Sequence, residues 1–145
     1  MKENLIAETS ITIGASKDAV WKAITTPSLV KEYLMGTTVK TDWQEGSPIS
    51  YEGEYEGKKY KDKGVIKKVQ VGKVFQSTYW SSMGGKEDKP ENYNLVTYNL
   101  SEAGENETKV SLTQDNVLSE KEKEHVTGNW KMVLKKLKEV SETMI

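Results

Sequence analysis

Few side chains in this chain are equipped for covalent or acid–base chemistry. Cysteine is absent, which removes thiolate nucleophiles, disulfides and cysteine-bound zinc together. There is one histidine, His125, so a multi-histidine metal site is excluded, and neither a metal nor an organic cofactor is expected. His125 falls near the start of a helical pattern and on its outer side, a poor position for catalysis. No nucleophile stands at a recognisable spacing from a base. Asp62 and Glu54 are the carboxylates worth weighing. Each falls in a strand pattern, where an inward orientation beside a tyrosine would make it an acid–base candidate and an outward one leaves it solvated. All 21 basic residues are lysine, so bidentate guanidinium recognition of carboxylate or phosphate is unavailable.

What the chain has in quantity is aromatic surface with a polar handle. It carries seven Tyr and four Trp against one Phe. Tyr and Trp suit half-exposed strand faces, and they also suit a cavity wall that is apolar but dotted with hydrogen-bonding groups. The net charge is −1, with acids and bases interspersed. No basic tract marks a phosphate-binding face, and nucleic acid is not an expected partner. At 145 residues, 35% of them hydrophobic, the chain suits one domain spanning 1–145. No run of eighteen apolar residues is present, so no membrane insertion is expected. Met1-Lys2-Glu3-Asn4 lacks the apolar core of a signal peptide, and a cytoplasmic location is expected.

The elements that must position those aromatics follow from periodicity. Leu5 to Ile13 alternates, with Leu5, Ala7, Thr9, Ile11 and Ile13 on one face, as a half-buried strand does. Ser16 can cap a short helix with Val20, Ala23 and Ile24 on its apolar side. Thr26-Pro27 starts a second helix that Gly36 ends. Strand signals then recur at Thr37 to Thr41, Ile49 to Tyr55, Lys58 to Val71, Val74 to Ser81, Tyr93 to Leu100 and from Thr108 to Thr113. Lys58 to Val71 changes parity, which a bulge near Gly64 or Lys67 would repair. Met83 to Asn92, with Gly84, Gly85 and Pro90 among charges, reads as a mobile loop. Short connections make the later strands an antiparallel meander.

Ser119 to Ile145 reads as one long amphipathic helix. Ser119 and Glu122 form a capping box. Glu120, Glu122 and Glu124 gather at the N-terminal end and Lys131, Lys135, Lys136 and Lys138 lie further along, which complements the helix dipole. Val126, Trp130, Val133, Leu137, Val140 and Met144 recur at spacings of four and three, and Leu134 widens the stripe. Gly128, with Met132, projects away from that stripe. It is either a tolerated mid-helix glycine or the point where another backbone, loop or subunit approaches.

Taken in order, these pieces resemble the START-like (SRPBCC) superfamily and, within it, the bacterial group named after the activator of Hsp90 ATPase (AHSA1-like). The resemblance rests on Ile11 to Trp21, Thr26 to Leu29, the turn from Trp43 to Gly46, Tyr60 to Val69, Val96 to Leu100, and Gly128-Asn129-Trp130 with Leu134 and Leu137. It covers nearly the whole chain. Two departures bear on pocket shape. Tyr33 stands where the family often has Trp, and Asn129 separates the glycine and tryptophan that are usually adjacent. The resemblance implies an α+β helix-grip (Bet v 1-like) fold. In it a curved antiparallel sheet of about seven strands wraps the C-terminal helix, with two short helices after the first strand.

Such a fold leaves space between sheet and helix. The leading expectation is non-catalytic binding of a small hydrophobic or lipid-like molecule there. The wall residues expected are the inward aromatics Tyr33, Trp43, Tyr51, Tyr60, Tyr79 and Tyr98, with Trp130, Val133 and Leu134 from the C-terminal helix; ordinary core packing is the alternative for each. The loop around Gly85 is a candidate gate. Two other readings stand beside this one: a partner-binding protein, including a chaperone (Hsp90) regulator or a homodimer joined at Gly128 and Met132, and a cyclase- or hydrolase-type enzyme.

Overall fold

The computed structural model describes residues 5–82 and 84–143. Met83 and Met144, assigned above to the loop and the helix stripe, lie outside them. In chain order the elements are β1 (Leu5–Ile13), α1 (Lys17–Thr25), α2 (Pro27–Tyr33), β2 (Thr38–Lys40), β3 (Pro48–Tyr55), β4 (Lys58–Gln70), β5 (Val74–Tyr79), a short 3-10 turn (Pro90–Asn92), β6 (Asn94–Gly104), β7 (Glu107–Val117) and α3 (Glu120–Glu142). The seven strands form one sheet in the order β1-β7-β6-β5-β4-β3-β2, and every neighbouring pair is antiparallel. This is the helix-grip arrangement that the sequence implies.

The inner face of the sheet follows strand parity. Ile49 and Tyr51, then Tyr60, Asp62 and Ile66, then Phe75, Ser77 and Tyr79 turn inward from β3, β4 and β5, all buried or half-buried. Val96, Tyr98 and Leu100 on β6 and Val110, Leu112 and Gln114 on β7 continue the same face. The parity change in β4 is a register shift between Ile66 and Lys68 against β5, so the bulged residue is Lys67. Gly64 has a different task. A Cβ built there would lie 2.5 Å from the carbonyl carbon of Thr78 and closer still to its oxygen. In the same stretch, Val65 N–H donates to Thr78 Oγ1 at 2.8 Å rather than to a ladder carbonyl.

Strands β6 and β7 run further than their hydrophobic alternation indicates. Glu102 still pairs with Thr108 and Gly104 with Glu107, leaving Glu105-Asn106 as the turn, with Asn106 at φ 54°. Residues 101–107 are exposed, so no buried face imprints a period of two on their sequence. The segment after β5, expected to be loose, is instead held by several bonds. Trp80 Nε1 donates to the carbonyls of Lys86 and Glu87 at 3.2 and 3.1 Å, Lys63 pairs with Asp88, and Asn116 Nδ2 donates to Glu91 O.

Helix α3 begins as expected, with Ser119 Oγ accepting from Glu122 N–H at 3.1 Å. The reciprocal bond reaches one residue further back than a standard box: Leu118 N–H donates to Glu122 Oε2 at 2.9 Å. The helix axis packs chiefly on β1 and on α1 and α2, with a lesser approach to β7. Its stripe is therefore split. Val133, Leu134 and Leu137 are buried in the core, whereas Val126 and Trp130 are half-buried. The mouth end of the helix thus stands off from the middle of the sheet.

Gly128 and Met132 face outward, as their helical angle requires; Met132 is 49% exposed. A Cβ at Gly128 would meet nothing within 4 Å, so no described part of this chain approaches the helix there. Gly128→Ala should raise stability by about 1 kcal/mol, because alanine loses less backbone entropy in a helix. At roughly 4 °C per kcal/mol for a chain of this size, a thermal melt should show the gain, and an unchanged or lower midpoint would contradict it.

Candidate ligand-binding cavity

A cavity of about 630 Å³ lies between the inner face of the sheet and the first half of α3. Its volume is in the ordinary range of small-molecule sites, roughly 300–1,000 Å³. Six of the nine wall residues expected from the sequence line it: Tyr51, Tyr60, Tyr79, Tyr98, Trp130 and Val133. The aromatic walls are braced by each other. Tyr51 meets Tyr79 edge-on with centroids 5.9 Å apart, and Tyr98 meets Trp130 edge-on at 6.1 Å. Trp130 Nε1 donates to Gln114 Oε1 at 2.8 Å, tying the helix to β7 across the cavity wall. Tyr60 lies over Gly53, its cross-strand partner, and its hydroxyl meets Thr37 Oγ1 at 2.6 Å.

The other three expected wall residues are placed elsewhere. Trp43, at φ 62°, packs on Phe75 with centroids 5.6 Å apart and is half-buried against the core rather than in the cavity lining. Tyr33 is 3% exposed, and its hydroxyl donates to Ile24 O at 3.2 Å, so it forms part of the packed end under α1. Leu134 is 1% exposed and faces β1, beside a groove lined by Thr9, Ile11 and Lys131. Each was assigned on aromatic or apolar type, and in each the register of packing decides otherwise.

The two strand carboxylates separate cleanly. Glu54 is exposed. Asp62 is 8% exposed, faces the cavity, and sits across the β3–β4 ladder from Tyr51. Its Oδ2 accepts from the Tyr79 hydroxyl at 2.5 Å. Its Oδ1 accepts from Ser82 N–H at 2.9 Å and from Ser82 Oγ at 3.2 Å. Strand parity held the clue: Tyr60 and Asp62 share a face, whereas Glu54 is opposite in parity to Tyr51. Burial raises the phenols around it. Tyr51 is pushed up to about 12 by its enclosure, with Asp62 adding to the rise, and Tyr79 and Tyr98 are also raised, chiefly by desolvation. All these phenols are protonated near neutrality and offer hydroxyl groups, not phenolates.

The rim is polar. Asn92, Asn94, Gln114 and Asn129 line it, and Lys86 pairs with Glu122 at 3.6 Å, joining the segment after β5 to the start of α3. His125 also lines the mouth, within 3.4 Å of Asn129 Nδ2. It therefore borders the site rather than standing on the far side of the helix, although it is exposed. These rim residues were not singled out as a group from the sequence, because single amides at strand ends look like turn residues. Among the described residues, no group of three or more His, Asp or Glu side chains is arranged to hold a metal ion. Nor is any helix among them long and apolar enough to cross a membrane.

An open antiparallel sheet gripping a long C-terminal helix, with a half-open cavity between them, is the Bet v 1-like, START-like arrangement. The chain belongs to the family described as Activator of Hsp90 ATPase homolog 1-like protein, which it matches over residues 14–142. It is similar to the solution structure of ChR145 from Cytophaga hutchinsonii, with 42% identity, a TM-score of 0.83, and coverage of 99% of this chain and 97% of that one. The fold is shared with Ara h 8.0201, at 12% identity, TM-score 0.74, and 97% and 99% coverage. It is shared also with PFC0360w, an HSP90 activator from Plasmodium falciparum, at 18% identity, TM-score 0.61, and 77% and 73% coverage. No curated protein matches the chain significantly.

Proposed function

We propose that this protein binds a small, largely apolar molecule in the cavity between sheet and α3, without transforming it. The observation that carries this reading is the cavity itself. It has the size of a small-molecule site, and its aromatic wall is dotted with the hydroxyls of Tyr51, Tyr60, Tyr79 and Tyr98. A merely structural interior would be filled to native packing density. The Lys86–Glu122 pair, about a third exposed on each side, links the segment after β5 to α3 at the mouth and is the candidate gate. Purified protein is expected to carry a bound molecule in native mass spectrometry, or to gain thermal stability with members of a hydrophobic library. A ligand at a hundred times its Kd adds about 2.7 kcal/mol, roughly 10 °C on the scale above. Apo protein throughout, with no shift across the library, would reject the reading.

Asp62 beside Tyr79 is the one observation that favours an enzyme. Its carboxylate is already engaged by three donors, two of them the hydroxyls of Tyr79 and Ser82, and neither hydroxyl has a histidine or lysine side chain among its hydrogen-bond partners. Binding is the better account of this geometry. A partner-binding role, including chaperone regulation, has the family membership in its favour. A pull-down with the source organism's Hsp90 and an ATPase assay test it. The face around Gly128 and Met132 is the surface for such a partner or for a second copy; Gly128→Leu should then abolish the complex, detectable as a change of mass in solution.

A further inference from the structure

The charge inside the cavity is unbalanced, and this narrows the class of molecule it accepts. Of the charged side chains lining the cavity, Lys86 and Glu122 neutralise each other at the rim, each side chain about a third exposed at 35% and 36%. Asp62 is the carboxylate within, at 8% exposure. No lysine faces it from β3, β5, β6 or the cavity side of α3. Its hydrogen bonds come from a backbone N–H and two neutral hydroxyls. A carboxylate has about four acceptor sites on its two oxygens, so three donors leave one place, on Oδ2 beside the Tyr79 hydroxyl. The surrounding walls are the π-faces and edges of Tyr51, Tyr60 and Tyr79. The faces of such rings attract cations, whereas an anion can draw only on their edges and hydroxyls.

Resting on the reading of the cavity as a small-molecule site, we propose that Asp62 and the tyrosines around it form a subsite for a hydrogen-bond-donating head. The ligand is then an apolar molecule ending in a protonated amine, or failing that a hydroxyl, and not a fatty-acid-type carboxylate. An amine head completes the acceptor set of Asp62 with a charge-assisted bond. A carboxylate head would bring a second negative charge into a site with no cation to offset the first.

A matched series isolates the head group: 4-phenylbutylamine, 4-phenylbutan-1-ol and 4-phenylbutanoate share one skeleton that the cavity can hold. Calorimetric titration near pH 7 should show the amine binding about ten-fold tighter than the alcohol, and the acid about ten-fold weaker. In Asp62→Asn the amine and alcohol should fall within about two-fold of each other, with the alcohol little changed. In Tyr79→Phe, which frees a second acceptor place on Asp62 Oδ2, the amine's advantage over the alcohol should widen. The Ser82 amide resonance should move with the amine and not with the acid. An acid that binds as well as the alcohol, or an amine preference that survives Asp62→Asn, overturns the subsite while leaving the container reading intact. If none of the three binds, the subsite falls, and the library screen decides the container reading separately. Should Asp62→Asn not fold, Tyr79→Phe and the Ser82 resonance decide, and loss of the amine preference in Tyr79→Phe overturns the proposal.

Discussion

Gly64→Ala is expected to be the most damaging single-methyl change in this protein. In most strands an added methyl finds space above or below the pleat. At Gly64 it would occupy the position of the Thr78 carbonyl, a backbone group that cannot rotate away. Relief would require β4 and β5 to separate between two points that hold them together: the Lys63–Trp80 bridge, with bonds of 3.1 and 2.8 Å, and the Ile66–Ser77 pair. The Val65 N–H bond to Thr78 Oγ1 lies between those points and would be lost with them. Overpacking a core normally costs about 1–3 kcal/mol and more when backbone must move; here about 3 kcal/mol or more is expected. A thermal melt should fall by 10 °C or more, or the variant should be insoluble. Because Asp62 and Tyr79 flank this crossing, the folded fraction should also lose cavity binding. A near-normal melting temperature would show that the two strands do not approach as closely as described.

The second large effect is Leu137→Ala, and its informative partner is Val126→Ala. Leu137 is fully enclosed among the buried residues of the core. Truncating it removes the transfer free energy of the lost carbons and leaves a void that the neighbouring helices and β1 cannot close, about 2–5 kcal/mol in all. Val126 lies on the same stripe but lines the cavity and is only half-buried. Its truncation enlarges a space that is already present and should cost under about 1 kcal/mol. Denaturant titration of both variants should therefore show a large loss for Leu137→Ala and a small one for Val126→Ala. Equal losses would mean that the helix is packed along its whole length, with no standing cavity beneath its first half.

Local chemistry made much of this readable in advance. The N-terminal starts of α1 and α3 were legible because caps act over three or four residues: Ser16 accepts from Ala19 N–H and Ser119 from Glu122 N–H, as their positions indicate. The inward tyrosines of β3 to β6 were legible because parity is local. Where burial ceases, so does the pattern. The exposed hairpin end of β6 and β7 carries no alternation to read, and the bonds that hold the segment after β5 come from Trp80, Lys63 and Asn116, distant partners that no window of sequence contains.

By itself, then, the sequence determined the order of elements, the antiparallel sheet with its long closing helix, the helix caps and the inner faces of the strands, because each of these is set by neighbours within a turn or a strand. The tertiary structure alone decided which inward residues touch space and which touch each other. Tyr33 and Leu134 became core, Trp43 packed against it, and Tyr51, Tyr79 and Trp130 became wall. It also selected Asp62 over Glu54 and brought His125 to the rim. The reason is geometric: α3 leans on β1 and on the two short helices rather than on the middle of the sheet, and the stand-off between helix and sheet is a property of all those contacts at once, encoded in no single segment.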